Sequence, residues 1–287
     1  MSRSIALVTD STASLPVGLA RERGIIVVPL QVVIGAKSYD EGPDGGATPE
    51  TVAAALREFT PVSTSRPTPA AMLEAYETAA DDGASEIVSI HLSGEMSGTY
   101  ESAQLAAREA SVPVTVVDSK QLGMATGFAV LSAADALDSG GSRTDAAAAA
   151  ADRAEAMTSL FYVDTLEYLR RGGRIGTAAA LLGSALSVKP LLKLENGRVG
   201  LLEKVRTAAR ALSRLEELAI AAAGDRPVDI AVAHLANPDS AGLLANNLRV
   251  RLAVNLDDRE VAVGEVGAVI GVHVGPGMVA VVVAPRR

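Results

Sequence analysis

Apolar runs alternate with helical spacing through the first half of the chain. "SIALVTD" reads as a strand, and "STASLPVGLARERG" as a helix with Ser14 as N-cap, Pro16 in its first turn and Gly24 just past its end. "IIVVPLQVVI" is a second strand. "TPAAMLEAYETAADDG" predicts a helix capped by Thr68, with Pro69 at its first position. "EIVSIHL" is a strand, "TYESAQLAAREA" a helix, "PVTVVDS" a strand, and 123–138 a helix. Strands apolar on both faces and separated by helices predict a mostly parallel sheet with helices on both sides.

The rhythm changes after an Ala-rich helix at 144–157. "PLLKLENGRVGLLEKV" predicts a β-hairpin, because Asn196-Gly197 suits the two positive φ angles of a type I′ turn. A helix at 207–223, a strand at 228–235, a helix at 239–252 and two C-terminal strands follow. The fold class expected is α/β with two domains. Residues 1–160 form an N-terminal α/β domain, and 161–287 a C-terminal α+β domain with a β-hairpin, the boundary falling near Phe161.

Composition narrows the function classes. With 48% hydrophobic and 21% charged residues, the chain can bury a sizeable core. Its 34 acids against 26 bases give a formal charge of −8, which argues against nucleic acid as a partner, since phosphate backbones need Lys/Arg surfaces. There is no cysteine, so disulfides, thiolate zinc sites and cysteine nucleophiles are excluded together. The apolar run in "MSRSIALVTDSTASLP" is too short for a secretory leader. The most apolar tail is interrupted by His273 and Gly275-Pro276-Gly277, short of the ~20 residues of a membrane span. The expectation is a cytoplasmic protein without integral membrane contact.

In open α/β sheets, ligands lie beyond the carboxyl ends of the strands, against helix N-termini. Four hydroxyl-rich segments leave such ends: "TDSTAS", "STSRPTP", "SGEMSGTY" and "DSKQLG". Unpaired N–H groups and hydroxyls at helix starts suit a phosphate or carboxylate, although any single Ser or Thr there more often caps its helix. Asp10 and Asp118, each directly after a strand, are most simply turn formers. None of these segments matches GxxxxGK[ST] or GxGxxG, so no ATP site and no cofactor is expected. His91 and His234 end apolar strand runs and read as satisfied side chains. His273, in "GVHVGPG", sits where glycines allow close backbone approach. No histidine pair has metal-ligand spacing, so no metal is expected. "YLRRGGRIG" gathers Arg170, Arg171 and Arg174 around a Gly-Gly turn, and Lys204, Arg206 and Arg210 follow the hairpin. Both basic groups are either solvated faces or docking points for an acidic or phosphate partner.

"VTDSTASLP", "TSRPTP", "LSGEMSGTYESA", "VVDSK", "YLRRGGRIG", "KPLLKLENGRV", "EKVRT" and "HVGPG" occur in this order from residue 8 to residue 277. Each is a weak signal alone. Together they resemble the DegV family of bacterial lipid-binding proteins over nearly the whole chain. The resemblance implies a two-domain α/β architecture enclosing one long-chain fatty acid, the lipid site lying between or beside the domains. It further implies a role as the fatty-acid-binding subunit of a fatty acid kinase. The partner subunit would supply ATP and make an acyl phosphate for phospholipid synthesis. Thr64 and Ser97 would hold the carboxylate, with Ser65 and Gly98 beside them and His273 in the same network. Arg206 would serve kinase docking. Arg66 stands where many relatives carry a neutral residue and adds a cation near the head group. Met278 and Val279, rather than a further glycine, follow the Gly-Pro-Gly.

The chemistry agrees with a carrier. Helix-end hydroxyls satisfy a carboxylate with no residue activated for attack, and a chain with three Phe and no Trp suits a tunnel lined by Ala, Val, Leu and Ile. At ~0.8 kcal/mol per buried CH₂, about fifteen methylenes give on the order of 12 kcal/mol gross, so the tail supplies the affinity and the head group sets orientation. The protein is therefore expected to bind and present a lipid without catalysing alone. The rival is a Ser/His/Asp acyl-ester hydrolase with Ser97 as nucleophile, His273 as base and Asp10 or Asp118 as orienter. It lacks the GxSxG elbow.

Overall fold

The computed structural model describes residues 4–42, 46–181 and 188–286. In chain order it begins with β1 (Ile5–Asp10), α1 (Val17–Glu22), β2 (Ile25–Val28), β3 (Gln31–Ile34), β4 (Lys37–Asp40), α2 (Pro49–Arg57) and β5 (Val62–Ser65). There follow α3 (Pro69–Asp81), β6 (Glu86–His91), α4 (Thr99–Ala107), β7 (Val114–Asp118), α5 (Met124–Asp138), α6 (Arg143–Ala156) and β8 (Thr158–Tyr162). Then come α7 (Glu167–Arg171), β9 (Lys189–Glu195), β10 (Arg198–Val205), α8 (Ala208–Ala223), β11 (Val228–His234) and α9 (Pro238–Arg251). The chain closes with α10 (Ala253–Leu256), β12 (Ala262–Glu265), α11 (Ala268–Val274) and β13 (Val279–Pro285).

Two compact units form, neither continuous in sequence. The first comprises Met1–Val32, Tyr39–Gly46 and Thr64–Glu155, the second Val33–Ser38, Ala47–Ser63 and Ala156–Arg287. β3, β4 and β5 form a three-stranded sheet in the order β4-β3-β5.

The first unit is built on a parallel sheet ordered β2-β1-β6-β7. Val8 and Ile87 pack with Met72, Tyr76 and Ala79 of α3 and Ala103 and Ala106 of α4. Helix α5 packs on the same two central strands, whose inner positions are buried without alternation, as a sheet covered on both faces requires. Thr68 caps α3 by accepting from the Ala71 N–H at 3.1 Å, with Pro69 in the first turn, where its missing N–H costs nothing.

The second unit carries a six-stranded sheet ordered β10-β9-β8-β13-β11-β12, antiparallel except for the β11–β12 pair. Leu215, Ala219 and Ala223 of α8 and Leu244 and Leu248 of α9 close its core over Ile230, Val281 and Val283. The β9–β10 hairpin turns on Asn196 and Gly197, with φ of 50° and 78°, the expected type I′ signature.

Three local expectations are corrected. The run 25–34 is not one strand. Pro29 offers no N–H to a ladder, the Leu30 N–H goes to Ser11 Oγ at 3.0 Å, and β2 and β3 join different sheets. Ser14 does not cap a helix: at φ 53° it closes a 3₁₀ turn over Ser11–Ala13, and α1 starts three residues later, after Pro16. The apolar tail also holds a helix, α11, between its two strands. His273 lies in its last turn, half-buried, and the rest of the run is buried and apolar, with no period that separates strand from helix.

Candidate functional site

The carboxyl ends of β1, β6 and β7 are Asp10, His91 and Asp118. Asp10 is fully buried and saturated with donors. Its Oδ1 accepts from the Thr12 N–H at 3.1 Å and from the Thr12 hydroxyl. Its Oδ2 accepts from the Leu92 N–H at 3.1 Å and faces His91 Nδ1 at 2.9 Å. On the other side of the ring, His91 Nε2 lies 2.7 Å from Ser89 Oγ, which in turn takes the Tyr76 hydroxyl at 2.8 Å. Burial pushes the Tyr76 phenol up to about 12, so it stays a neutral donor. Asp118 Oδ1 accepts from Lys120 N–H at 2.8 Å and Gly94 N–H at 3.2 Å. Both aspartates thus form the turns expected of them, and each also ties in the loop that follows β6.

That loop delivers Ser97 to the start of α4. The Ser93 carbonyl accepts from the N–H groups of Met96 and Ser97, each at 3.1 Å, folding a tight turn. Gly98 occupies the N-cap position without a side chain to cap with. Ser97, half-buried, supplies part of the missing cap. Its Oγ accepts from the Thr99 N–H at 3.3 Å and lies 2.9 Å from Thr99 Oγ1. The opening turn of α4 therefore offers a hydroxyl pair next to first-turn N–H groups that have no partner within the helix.

Thr64 and Ser65 end β5, Thr64 half-buried and Ser65 exposed. Arg66 links this segment to α4. Its Nη1 donates to the Gly98 carbonyl at 3.2 Å and pairs with Glu101 Oε2 at 2.8 Å. A side chain at 98 would overlap the Arg66 guanidinium, so the glycine permits the approach. Glu101 balances the Arg66 charge. All four residues, Thr64, Ser65, Ser97 and Gly98, belong to the first unit, and the Arg66 side chain ties the exit of β5 to the start of α4.

In the second unit, α11 packs on α7 and on the Gly-Gly turn that follows it. His273 Nδ1 lies where a Cβ of Gly172 would be, and the ring of Tyr168 fills the corresponding place at Gly275. Arg174 donates to the Gly172 carbonyl. Burial, reinforced by the Arg174 charge, pulls His273 down to about 4, so its imidazole is neutral at physiological pH. Arg170 and Arg171 share Glu167, with contacts of 2.7 Å each, and chiefly Arg170, then Arg171, hold that carboxylate down at about 2. Arg206 is exposed. The acids that could neutralise it are engaged elsewhere: Glu203 is forked by Arg214 at 2.8 Å twice, and Glu216 by Arg251 at 3.0 Å and Asn247 at 2.8 Å.

The Ser97 hydroxyl is bonded to Thr99, Asp10 to His91, and Asp118 to backbone N–H groups. His234 accepts from the Asn237 N–H at 3.4 Å and lies 3.5 Å from Glu265 Oε1. Among the described residues, no three His, Asp or Glu side chains converge to hold a metal, and no helix is long and apolar enough to cross a membrane. Sequence reasoning missed the Tyr76–Ser89–His91–Asp10 chain. Its trace is two polar residues, Ser89 and His91, at alternate positions of a strand that is otherwise apolar.

A parallel sheet flanked by helices, with a second mixed sheet covered by helices, defines an α/β protein. The chain belongs to the DegV family: the model described as "Uncharacterised protein, DegV family" matches residues 4–286. A DegV domain-containing protein of Streptomyces coelicolor is 54% identical over 286 residues, covering 100% of both chains. A DegV family protein from Thermus thermophilus, solved under a description of fatty acid binding, superposes with a TM-score of 0.91 at 35% identity, covering 99% of this chain and 100% of that one. DegV of Bacillus subtilis, described as a fatty acid binding protein, superposes with a TM-score of 0.89 at 31% identity, covering 99% and 100%.

Proposed function

We propose that this protein binds one long-chain fatty acid in a buried apolar tunnel and presents its carboxylate to a separate ATP-dependent kinase subunit in the cytoplasm, which forms an acyl phosphate for phospholipid synthesis. The observation that carries the binding reading is the full-length likeness to the Thermus thermophilus protein, whose described property is fatty acid binding. The opening turn of α4 supports it. Arg66, which follows Thr64 and Ser65 at the exit of β5, donates to the Gly98 carbonyl beside Ser97, and hydroxyls beside first-turn N–H groups favour an anion without activating a nucleophile. His273 enters the head-group network through the resemblance, and a neutral imidazole there is a hydrogen-bonding group rather than a counter-ion. Arg206 is the kinase contact on this reading. Exposed, and paired with no carboxylate among the described residues, it keeps its guanidinium for a partner.

Native mass spectrometry of the protein purified from a bacterial host tests the binding reading, with one co-purifying fatty acid per chain expected. Delipidated protein should gain thermal stability when the acid is restored, because a ligand that binds only the native state must stabilise it. No adduct and no such gain would overturn the reading.

A further inference from the structure

Tyr76, Ser89, His91 and Asp10 are each wholly removed from solvent, and their polar atoms form one continuous chain. The Asp10 carboxylate only accepts, so His91 Nδ1 carries the ring proton toward it. Nε2 lies 2.7 Å from the Ser89 hydroxyl, and Ser89 Oγ accepts from Tyr76, so the four side chains are linked end to end to Asp10. Such a chain adds little net stability, since apolar groups of the same shape in place of both partners of a buried hydrogen bond can be nearly neutral. Their effect is on the backbone. Asp10 holds the Leu92 N–H and the turn at Thr12, and the His91 carbonyl accepts from the Ser119 N–H at 3.0 Å and its hydroxyl at 2.7 Å. The exits of β1, β6 and β7 are clamped at one point. Ser97 follows Leu92 by a single tight turn, itself tied to β7's loop by Ser93 N–H on the Gln121 carbonyl at 2.9 Å.

We infer that the Asp10–His91 pair, without touching ligand, is a positioning device that sets where the Ser97 hydroxyl stands and thereby the preference for a carboxylate over a neutral head group. The inference rests on the reading of Ser97 as a carboxylate ligand.

The test measures the affinity of the delipidated full chain for hexadecanoic acid and for its methyl ester. Ser97→Ala should weaken the acid by roughly tenfold or more while leaving the ester nearly unchanged. His91→Asn keeps an N–H in the place of Nδ1 and should retain acid binding. His91→Leu, which fills the volume but has no donor, should lose it as Ser97→Ala does, again sparing the ester. Combining His91→Leu with Ser97→Ala should cost little more than either alone, as coupled positions do. Acid affinity in His91→Leu equal to wild type, or acid and ester falling together, would overturn the inference. If His91→Leu does not fold, the isosteric Thr12→Val removes one donor to Asp10. It must show the same acid-selective loss in weaker form, and unchanged acid binding there overturns the inference equally. No effect of Ser97→Ala itself would remove the head-group reading and this inference with it, whereas failure of the His91 and Thr12 variants alone removes only the inference.

Discussion

The ring of Tyr168 stands against Gly275 so closely that a methyl group at 275 would lie within its carbon atoms. Gly275 also has φ of 74°, outside the range of most side chains, so two independent constraints meet at one residue. Gly275→Ala should therefore destabilise the protein by at least about 2 kcal/mol, the sum of overpacking and left-handed strain. Gly98→Ala is the control. It meets only the far end of the Arg66 side chain, at φ −73°, and the guanidinium can swing away. Thermal melts of the two variants should differ clearly, and equal melting would mean that the α11–α7 packing is looser than its geometry.

Replacing Ser97 or Thr64 by Ala removes one head-group hydrogen bond on the proposed reading. The cost should be roughly 1.5 to 3 kcal/mol if the acceptor is a charged carboxylate. Binding should weaken and persist, because the tail still buries. Titration calorimetry with a long-chain acid reads this directly. Unchanged affinity in both variants would place the head group elsewhere.

What could be read from the sequence, and what could not, divides along physical lines. Repeated local signals carried the parallel sheet, the Asn196-Gly197 hairpin and the Thr68 cap, because pattern, turn chemistry and capping all act over a few residues. The break at Pro29 was legible in principle, since a proline cannot sit inside a central strand. The helix at Ala268–Val274 was not, as all of its residues but His273 are buried and show neither period. At the site, hydroxyls at strand exits were visible one loop at a time. That Arg66 brings the β5 exit to α4, and that Asp10 is spent on His91, depends on contacts across 32 and 81 residues of chain. No local rule reports such pairings.

His273 links pH to stability. Its folded-state value of about 4 lies below the ordinary 6.5, because burial and Arg174 disfavour the cation. Above pH 6.5 both folded and unfolded chains hold it neutral. As pH falls from 6.5 toward 4, the unfolded state takes up a proton that the folded state refuses, so stability is lost across that window and the loss levels off below it. The contribution is on the order of 3 kcal/mol at the acid end. His273→Gln should flatten the urea-unfolding free energy between pH 7 and 4 relative to wild type. Parallel profiles for the two proteins would show that the imidazole titrates normally in the fold.

Arg206 should separate phosphorylation from binding. It follows the β9–β10 hairpin as an exposed residue next to Thr207, the cap of α8, and nothing in the sheet calls for a cation there. A solvated salt bridge with Glu203 or Glu216 would have been the ordinary use of such a residue, worth at most ~1 kcal/mol. Both acids are committed to other partners, Glu203 to Arg214 and Glu216 to Arg251 and Asn247. Arg206→Ala therefore breaks no ion pair among the described residues, and melting temperature and fatty-acid affinity should stay close to wild type. Acyl-phosphate formation with the cognate kinase subunit and ATP should fall sharply, because the planar fork suits a carboxylate or phosphate on a partner and alanine offers nothing in its place. Arg206→Lys should recover part of the loss, keeping the charge without the fork. Full turnover in Arg206→Ala would end the docking role and return the residue to ordinary surface.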